Sequence, residues 1–299
     1  MLGLLALLGI GLAIAAALVI WLTIWRLRHP PRKTYAWAVA RNRPGDPSEL
    51  DTPRTFDTYE LALEEHHPRE RSPIWDIEGD TPAGPVVIFT PGWGDSRIGV
   101  LPRLRGLAPH ASRILTWDPP GHGDAPGRCA LGTREPPMLA TLARHAHETH
   151  NRPIVLAGSS LGGGVCIVTT ATLGDALPIA GVIAEAPYRL PWTPARNVMR
   201  LAGYPYRWNI VPVFGLLAIR LGGWRTFDRA RWAKQVICPL LVIHGTLDEV
   251  CPLQDGRDIA SAAPAGTLIA IEGRTHNDLW ADDEPRAAEA TQTFLASLA

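Results

Sequence analysis

The chain has no surplus of either charge: Lys plus Arg and Asp plus Glu each number 29, for a formal net charge of zero over 299 residues. Nothing in this overall balance suggests a nucleic-acid-binding module. Cysteine is scarce. The four, Cys129, Cys166, Cys238 and Cys251, stand far apart, with no Cys-x-x-Cys and no metal-ligand spacing. They read as reduced thiols, Cys166 packed inside a helix, and neither metal nor cofactor is expected. No Asn-x-Ser/Thr sequon occurs, in keeping with a reducing compartment. Internal repeats and long low-complexity tracts are absent too. The most telling absence is at the start, where residues 1–25 carry no charged side chain.

Such a run is long enough to cross a bilayer as one helix. Trp21 and Trp25 close it, where aromatic rings prefer the headgroup layer, and Arg26, Arg28, Arg32 and Lys33 follow at once. By the positive-inside rule the rest of the chain lies on the cytoplasmic side of a single-pass anchor. A cleaved signal peptide is the competing reading. It needs a basic start and small residues at a cleavage site, whereas bulky residues fill positions 21–27. The expected organisation is an anchor over 1–28, a juxtamembrane segment and domain edge over 29–72, and an α/β domain over 73–299.

Within that domain, short apolar runs alternate with longer amphipathic ones. Strands are expected at 86–90, 113–117, 154–157, 180–184, 240–244 and 267–271. Helices are expected at 139–150 and 284–298, with a helix or broken helix over 97–109. Residues 44–54 and 64–72 read as surface loops. Alternation of this kind predicts a mostly parallel sheet covered by helices on both faces. Ligands of such sheets bind beyond the carboxyl ends of the strands.

The densest signal is Gly158-x-Ser160-x-Gly162, between the apolar run 154–157 and an apolar, proline-free run over 161–172. A serine at the tip of a tight strand-to-helix turn is pushed out of the backbone. The two glycines remove the side chains that would hold strand and helix apart. Ser160 is therefore the candidate nucleophile, and the Leu161 amide a first oxyanion donor. After the strand ending at Thr90 comes Pro91-Gly-Trp-Gly-Asp-Ser96, whose Trp93 amide is the candidate second donor. Asp118-Pro-Pro-Gly-His-Gly123 reads as a tight turn capped by Asp118, with His122 shaping the floor of the site. His244-Gly-Thr-Leu-Asp248 follows another strand, and Gly273-Arg-Thr-His276 follows the last. Asp248 is placed to orient the imidazole of His276, with Glu249 and Glu185 as rival acids. The order Ser160, Asp248, His276, each just after its own strand, is the decisive pattern.

On these motifs, which span roughly residues 75–298, the chain resembles the α/β-hydrolase superfamily of serine hydrolases. Its Thr275-His276-Asn277-Asp278 is similar to the membrane-associated branch that includes depalmitoylating thioesterases. Many members carry His-Gly at the oxyanion strand end, where this chain has Pro91-Gly92; a backbone donor does not need that histidine. The resemblance implies hydrolysis through an acyl-enzyme; the anchor and the aromatic, basic insertion, rather than the triad, point to an ester or thioester of a small-molecule or lipid acyl substrate. Two other uses of the fold stay open: a non-catalytic binding module, and an acyltransferase with the same triad.

The resemblance also implies that residues 187–236 form a cap over the site. This insertion holds Trp192, Tyr204, Tyr206, Trp208, Phe214, Trp224, Phe227 and Trp232, with eight arginines, Lys234 and a single acid, Asp228. Such a mixture suits contact with an anionic leaflet. It equally suits a helical cap with aromatics inward and arginines in water. His145, His147 and His150 on one helix, and His66-His67, read as solvated surface.

Overall fold

Eight short runs pair into one sheet in the computed structural model, which describes residues 2–64, 70–221 and 227–298. His66, His67, Trp224 and Arg225 lie outside the described residues. The strands are β1 (Phe56–Ala62), β2 (Arg71–Glu78), β3 (Val86–Thr90), β4 (Arg113–Trp117), β5 (Ile154–Ser159), β6 (Ile179–Glu185), β7 (Leu240–Gly245) and β8 (Gly266–Ile271). Their spatial order is β1-β2-β4-β3-β5-β6-β7-β8. β1, β2 and β4 pair antiparallel, and all pairs from β4 to β8 are parallel. Strands β3 and β7 are buried along their whole length. That is why they read as continuous apolar runs rather than alternating ones.

The helices are α1 (Leu2–Arg28), α2 (Tyr35–Val39), α3 (Leu104–Leu107), α4 (Glu135–His150), α5 (Leu161–Leu173), α6 (Trp192–Leu201), α7 (Ile210–Leu221), α8 (Arg229–Ala233), α9 (Leu253–Ala262) and α10 (Arg286–Ala296). One core, on the face of α4, α5 and α9, gathers Leu139, Val165 and Ile259 around Ile88, Leu156 and Val242. The other, under α3 and α10, gathers Leu104 and Leu295 around Phe89, Val155 and Ile243. The stretch expected as a broken helix is one. A 3₁₀ segment Arg97–Arg103 containing Pro102 precedes α3, and a second 3₁₀ turn, Ala108–His110, follows it.

One expectation fails at the sheet's edge. Arg71 and Ser72, read as loop, open β2, which pairs with β1 from Phe56↔Ile77 to Ala62↔Arg71. Of the charges that suggested a loop, Arg71 sits on an exposed position of this hairpin. The fold subdivides the insertion into α6, α7 and α8, between Glu185 and Leu240.

Helix α1 is 27 residues long, about 40 Å at 1.5 Å per residue. Most of its apolar side chains point outward, and its most apolar window has a mean hydropathy of 2.7. It is one helix long and apolar enough to cross a membrane. It stops at Pro30-Pro31, which cannot continue the hydrogen-bond ladder. Only Thr23 and Leu27 are buried. Thr23 meets the insertion there: the Asn209 amide donates to its Oγ1 at 3.1 Å.

Candidate active site

Ser160 stands between β5 and α5 with φ 51° and ψ −111°, a conformation that L-residues rarely hold. The turn is enforced from both sides. A Cβ on Gly162 would lie 2.0 Å from the Thr90 carbonyl oxygen, and one on Gly158 would lie 2.5 Å from the Gly162 carbonyl carbon. The Ser160 N–H donates to the Glu185 carbonyl at 2.7 Å, which ties the turn to β6. Leu161 is the first helical residue, so its amide belongs to the unpaired N–H groups of a helix start. A Gly92 Cβ would sit 3.4 Å from Ser160 Cβ, so the loop carrying the Trp93 amide packs directly on the elbow.

Asp248 and His276 meet across the carboxyl ends of β7 and β8. His276 Nδ1 lies 2.7 Å from Asp248 Oδ2. The other oxygen, Oδ1, accepts from the Val250 and Cys251 N–H groups at 2.8 and 2.7 Å. The Asp248 side chain is fully buried. Burial raises the pKa of its carboxyl, but hydrogen bonds from His244 and His276 outweigh that and hold it down at about 2. An ionised Asp248 can only accept. Nδ1 of His276 therefore carries the proton, and its Nε2 keeps a free lone pair for a base.

Ser160 and His276 line one cavity of about 190 Å³, with Leu27, Trp93, Leu161 and Phe214 among the apolar residues around them. Among the described residues the two are not hydrogen-bonded to each other. The contact of Ser160 Oγ is with Cys251 Sγ at 3.9 Å. Burial pushes the Cys251 thiol well above the usual thiol range, so it stays protonated. Asp248, Cys251 and His276 also form the cluster of possible metal-ligating atoms, all within 4.8 Å of one another. Asp248 already holds two amides and two imidazoles, and Cys251 is a buried neutral thiol. The set suits a hydrogen-bond network better than a cation.

Residues 87–291 match the model of the alpha/beta hydrolase family. The chain belongs to that family. It is 24% identical over 186 residues to human Protein ABHD12B, covering 60% of this chain and 50% of that one. It is 29% identical over 182 residues to lysophosphatidylserine lipase ABHD12 of Macaca fascicularis, covering 58% of this chain and 42% of that one. The chain thus spans about half the length of the curated relatives it matches. In fold it is similar to an esterase of Pyrococcus furiosus, with a TM-score of 0.67, 18% identity, and coverage of 91% of this chain and 98% of that one.

In this α/β hydrolase the rival acids sit elsewhere. The Glu185 carboxylate is buried and occupied by Arg103 Nε at 2.7 Å. Glu249 is exposed. Asp118 caps its turn, accepting from the Arg97 and Asp124 N–H groups and from the Arg97 guanidinium at 2.8, 2.9 and 2.6 Å. His122, expected at the floor of the site, is absent from the cavity lining. It is buried in the turn with Nδ1 3.1 Å from the Pro120 carbonyl, and burial pushes its pKa down to about 4.

Three side chains were not foreseen. His244 is fully buried beneath Asp248. Its Nε2 lies 2.8 Å from the Cys251 carbonyl, a pure acceptor, so that nitrogen is the protonated one, and it also faces Asp248 Oδ2 at 3.4 Å. Cys251 touches Ser160, as described. Arg229, read with the other arginines of the insertion as facing either a leaflet or water, is fully buried, donating to the Phe227 and Leu131 carbonyls and lying 5.1 Å from the Tyr188 ring. The remaining aromatics of the cap divide. Trp192, Phe214 and Phe227 pack edge to face, while Tyr204 and Trp208 are exposed. The helix α4 histidines are half-buried rather than solvated, and His150 Nε2 reaches Asp76 of β2 at 3.0 Å.

Proposed function

We propose that this protein is a membrane-anchored serine hydrolase that cleaves an ester or thioester with an apolar acyl part. His276 Nε2 takes the proton of Ser160 as its Oγ attacks the acyl carbonyl. The Trp93 and Leu161 amides receive the negative charge that develops on the carbonyl oxygen. The imidazolium then protonates the leaving group, and the same base activates the water that releases the acyl group. The observation that carries the reading is the Asp248–His276 pair at 2.7 Å on the rim of the cavity that Ser160 enters from its positive-φ turn. The names of the similar proteins, a lysophosphatidylserine lipase and an esterase, support ester chemistry.

The membrane part of the proposal rests on α1 and on the cap. Val211 and Ile219 of α7 and the neighbouring Tyr204 and Trp208 are all at least half exposed, and α7 packs against α1. An apolar helix flanked by aromatics and arginines lies favourably at a headgroup boundary. Residues 1–28 then cross the bilayer, Arg26 to Lys33 mark its cytoplasmic face, and residues 187–236 cover the site as a cap.

The test is labelling of the full-length protein by a fluorophosphonate, wild type beside Ser160→Ala. Labelling that disappears with Ser160 is the expected result. An unlabelled, folded wild type points to a binding module instead, and a labelled Ser160→Ala protein removes Ser160 as the nucleophile.

A further inference from the structure

A tether only has to be apolar, and residues 2–22 meet that need with side chains that mostly face outward. The last two turns of α1 do something else. Thr23 and Leu27 are buried, and Leu27 lines the cavity that contains Ser160 and His276. The Leu27 carbonyl accepts the Trp93 indole N–H at 2.8 Å. The chain that follows is fastened to the same region. Cys129 N–H donates to the Arg28 carbonyl at 3.0 Å, and the Arg32 guanidinium donates to the Gly123 and Ala125 carbonyls at 3.0 and 2.8 Å. Lys33 pairs with Asp95 at 3.0 Å, two residues beyond Trp93. A Cβ on Gly94 would stand 3.3 Å from the Pro31 ring, so the Gly94 backbone packs on that proline. The helix end is thereby held in register with the loop that carries the second oxyanion amide.

We propose that Leu27 is a specificity-determining residue, and that the end of α1 sets the length of acyl chain the cavity accepts. This rests on the ester-hydrolase reading above. The cavity is about 190 Å³, small enough for one side chain to alter what fits. A single methylene in an apolar pocket changes selectivity about tenfold or more. A bulkier residue at 27 shortens the space and a smaller one lengthens it. Because the carbonyl, and not the side chain, binds Trp93, both changes leave that hydrogen bond in place.

The experiment uses full-length protein in phosphatidylcholine vesicles and a series of p-nitrophenyl esters from acetyl to palmitoyl. Leu27→Trp is expected to keep kcat/KM on the shortest esters within about threefold and to lose about tenfold or more on the longest. Leu27→Ala is expected to move the preferred length the other way. Opposite shifts from two substitutions at one position are not the signature of a folding defect. Leu22→Trp, at an exposed position of the same helix, leaves the profile unchanged. Turnover with the wild-type profile in both Leu27 variants overturns the proposal, as does a uniform loss across all chain lengths in both. A wild type that neither turns over esters nor labels at Ser160 overturns the functional reading instead.

Discussion

Glu185 lends Ser160 its backbone carbonyl and withholds its carboxylate. The carbonyl accepts the Ser160 N–H at 2.7 Å, while the carboxylate accepts from Arg103 Nε at 2.7 Å. One residue thus braces the elbow without competing for the imidazole. Asp248→Asn is expected to lower kcat by about 10³ to 10⁴, since the amide favours the wrong tautomer of His276. Glu185→Gln is expected to leave kcat within about tenfold and to cost roughly 2 kcal/mol of stability, because Arg103 loses its buried partner. Steady-state kinetics and denaturant melts on the two variants separate the roles; a larger kcat loss in Glu185→Gln reverses the assignment.

The elbow glycines differ sharply from a glycine with room around it. Gly162→Ala forces a methyl to within 2.0 Å of a backbone carbonyl and is expected to abolish folding or cost about 3 kcal/mol or more. Gly215, inside α7, has nothing within 4 Å of an added Cβ. Gly215→Ala is expected to stabilise by about 0.4–1 kcal/mol through helix propensity and a less free unfolded chain. Thermal melts of both decide it, and a Gly162→Ala protein as stable as wild type contradicts the packing described.

His122 makes stability depend on pH. Its folded pKa, about 4, lies below the ordinary 6.5 because burial disfavours the cation. As pH falls from 6.5 towards 4 the unfolded chain binds a proton that the folded protein refuses. Stability from this group is therefore complete above pH 6.5 and lost as pH falls through the window, by roughly 3 kcal/mol in all. Denaturant unfolding of His122→Asn between pH 7.5 and 4.5 is expected to show a shallower loss than wild type. Parallel slopes refute the assignment.

Cys251 is expected to resist iodoacetamide at pH 8 in the native protein, although it touches the proposed nucleophile. Buried neutral thiols are poor nucleophiles, and its thiolate is disfavoured by burial and by the Asp248 charge. Mass spectrometry after native and denatured alkylation checks this. Rapid native modification at Cys251 shows that the cavity is more open than described.

Removing residues 1–33 is expected to destabilise the domain itself. The cut removes the Leu27 carbonyl from Trp93, the Arg32 side chain from Gly123 and Ala125, and Lys33 from Asp95. A chain beginning at Thr34 is expected to melt about 5 °C or more below the full-length protein. Replacing 2–22 with an unrelated apolar helix is expected to leave the melting temperature unchanged. Equal melting of the Thr34 chain and the full-length protein shows the contacts to be incidental.

The inner parallel strands β3, β5 and β7 were legible because they are buried on both faces and so read as unbroken apolar runs. Ser160 was legible for a related reason: only glycines tolerate the approach at 158 and 162, and that requirement is local. The β1–β2 hairpin was obscured because its exposed charges mimic a loop. Arg229 looked like surface because a buried arginine satisfied by the carbonyls of Phe227 and Leu131 leaves no mark in composition. His150 looked solvated because its partner, Asp76, lies on the strand that was missed. The support that His244 gives Asp248 is nearer to hand, four residues away, but only the turn after β7 folds it beneath the carboxylate.

The short stretch from Leu27 to Lys33 leaves no slack between helix and domain. With α1 across a bilayer, the globular part cannot swivel like a balloon on a string. In the proposed membrane arrangement it is mounted at one tilt and one height, and the mouth beside Leu27 would meet the leaflet at one depth. Under that proposal, reach into the lipid would be a built-in dimension of the protein, set by where the helix stops.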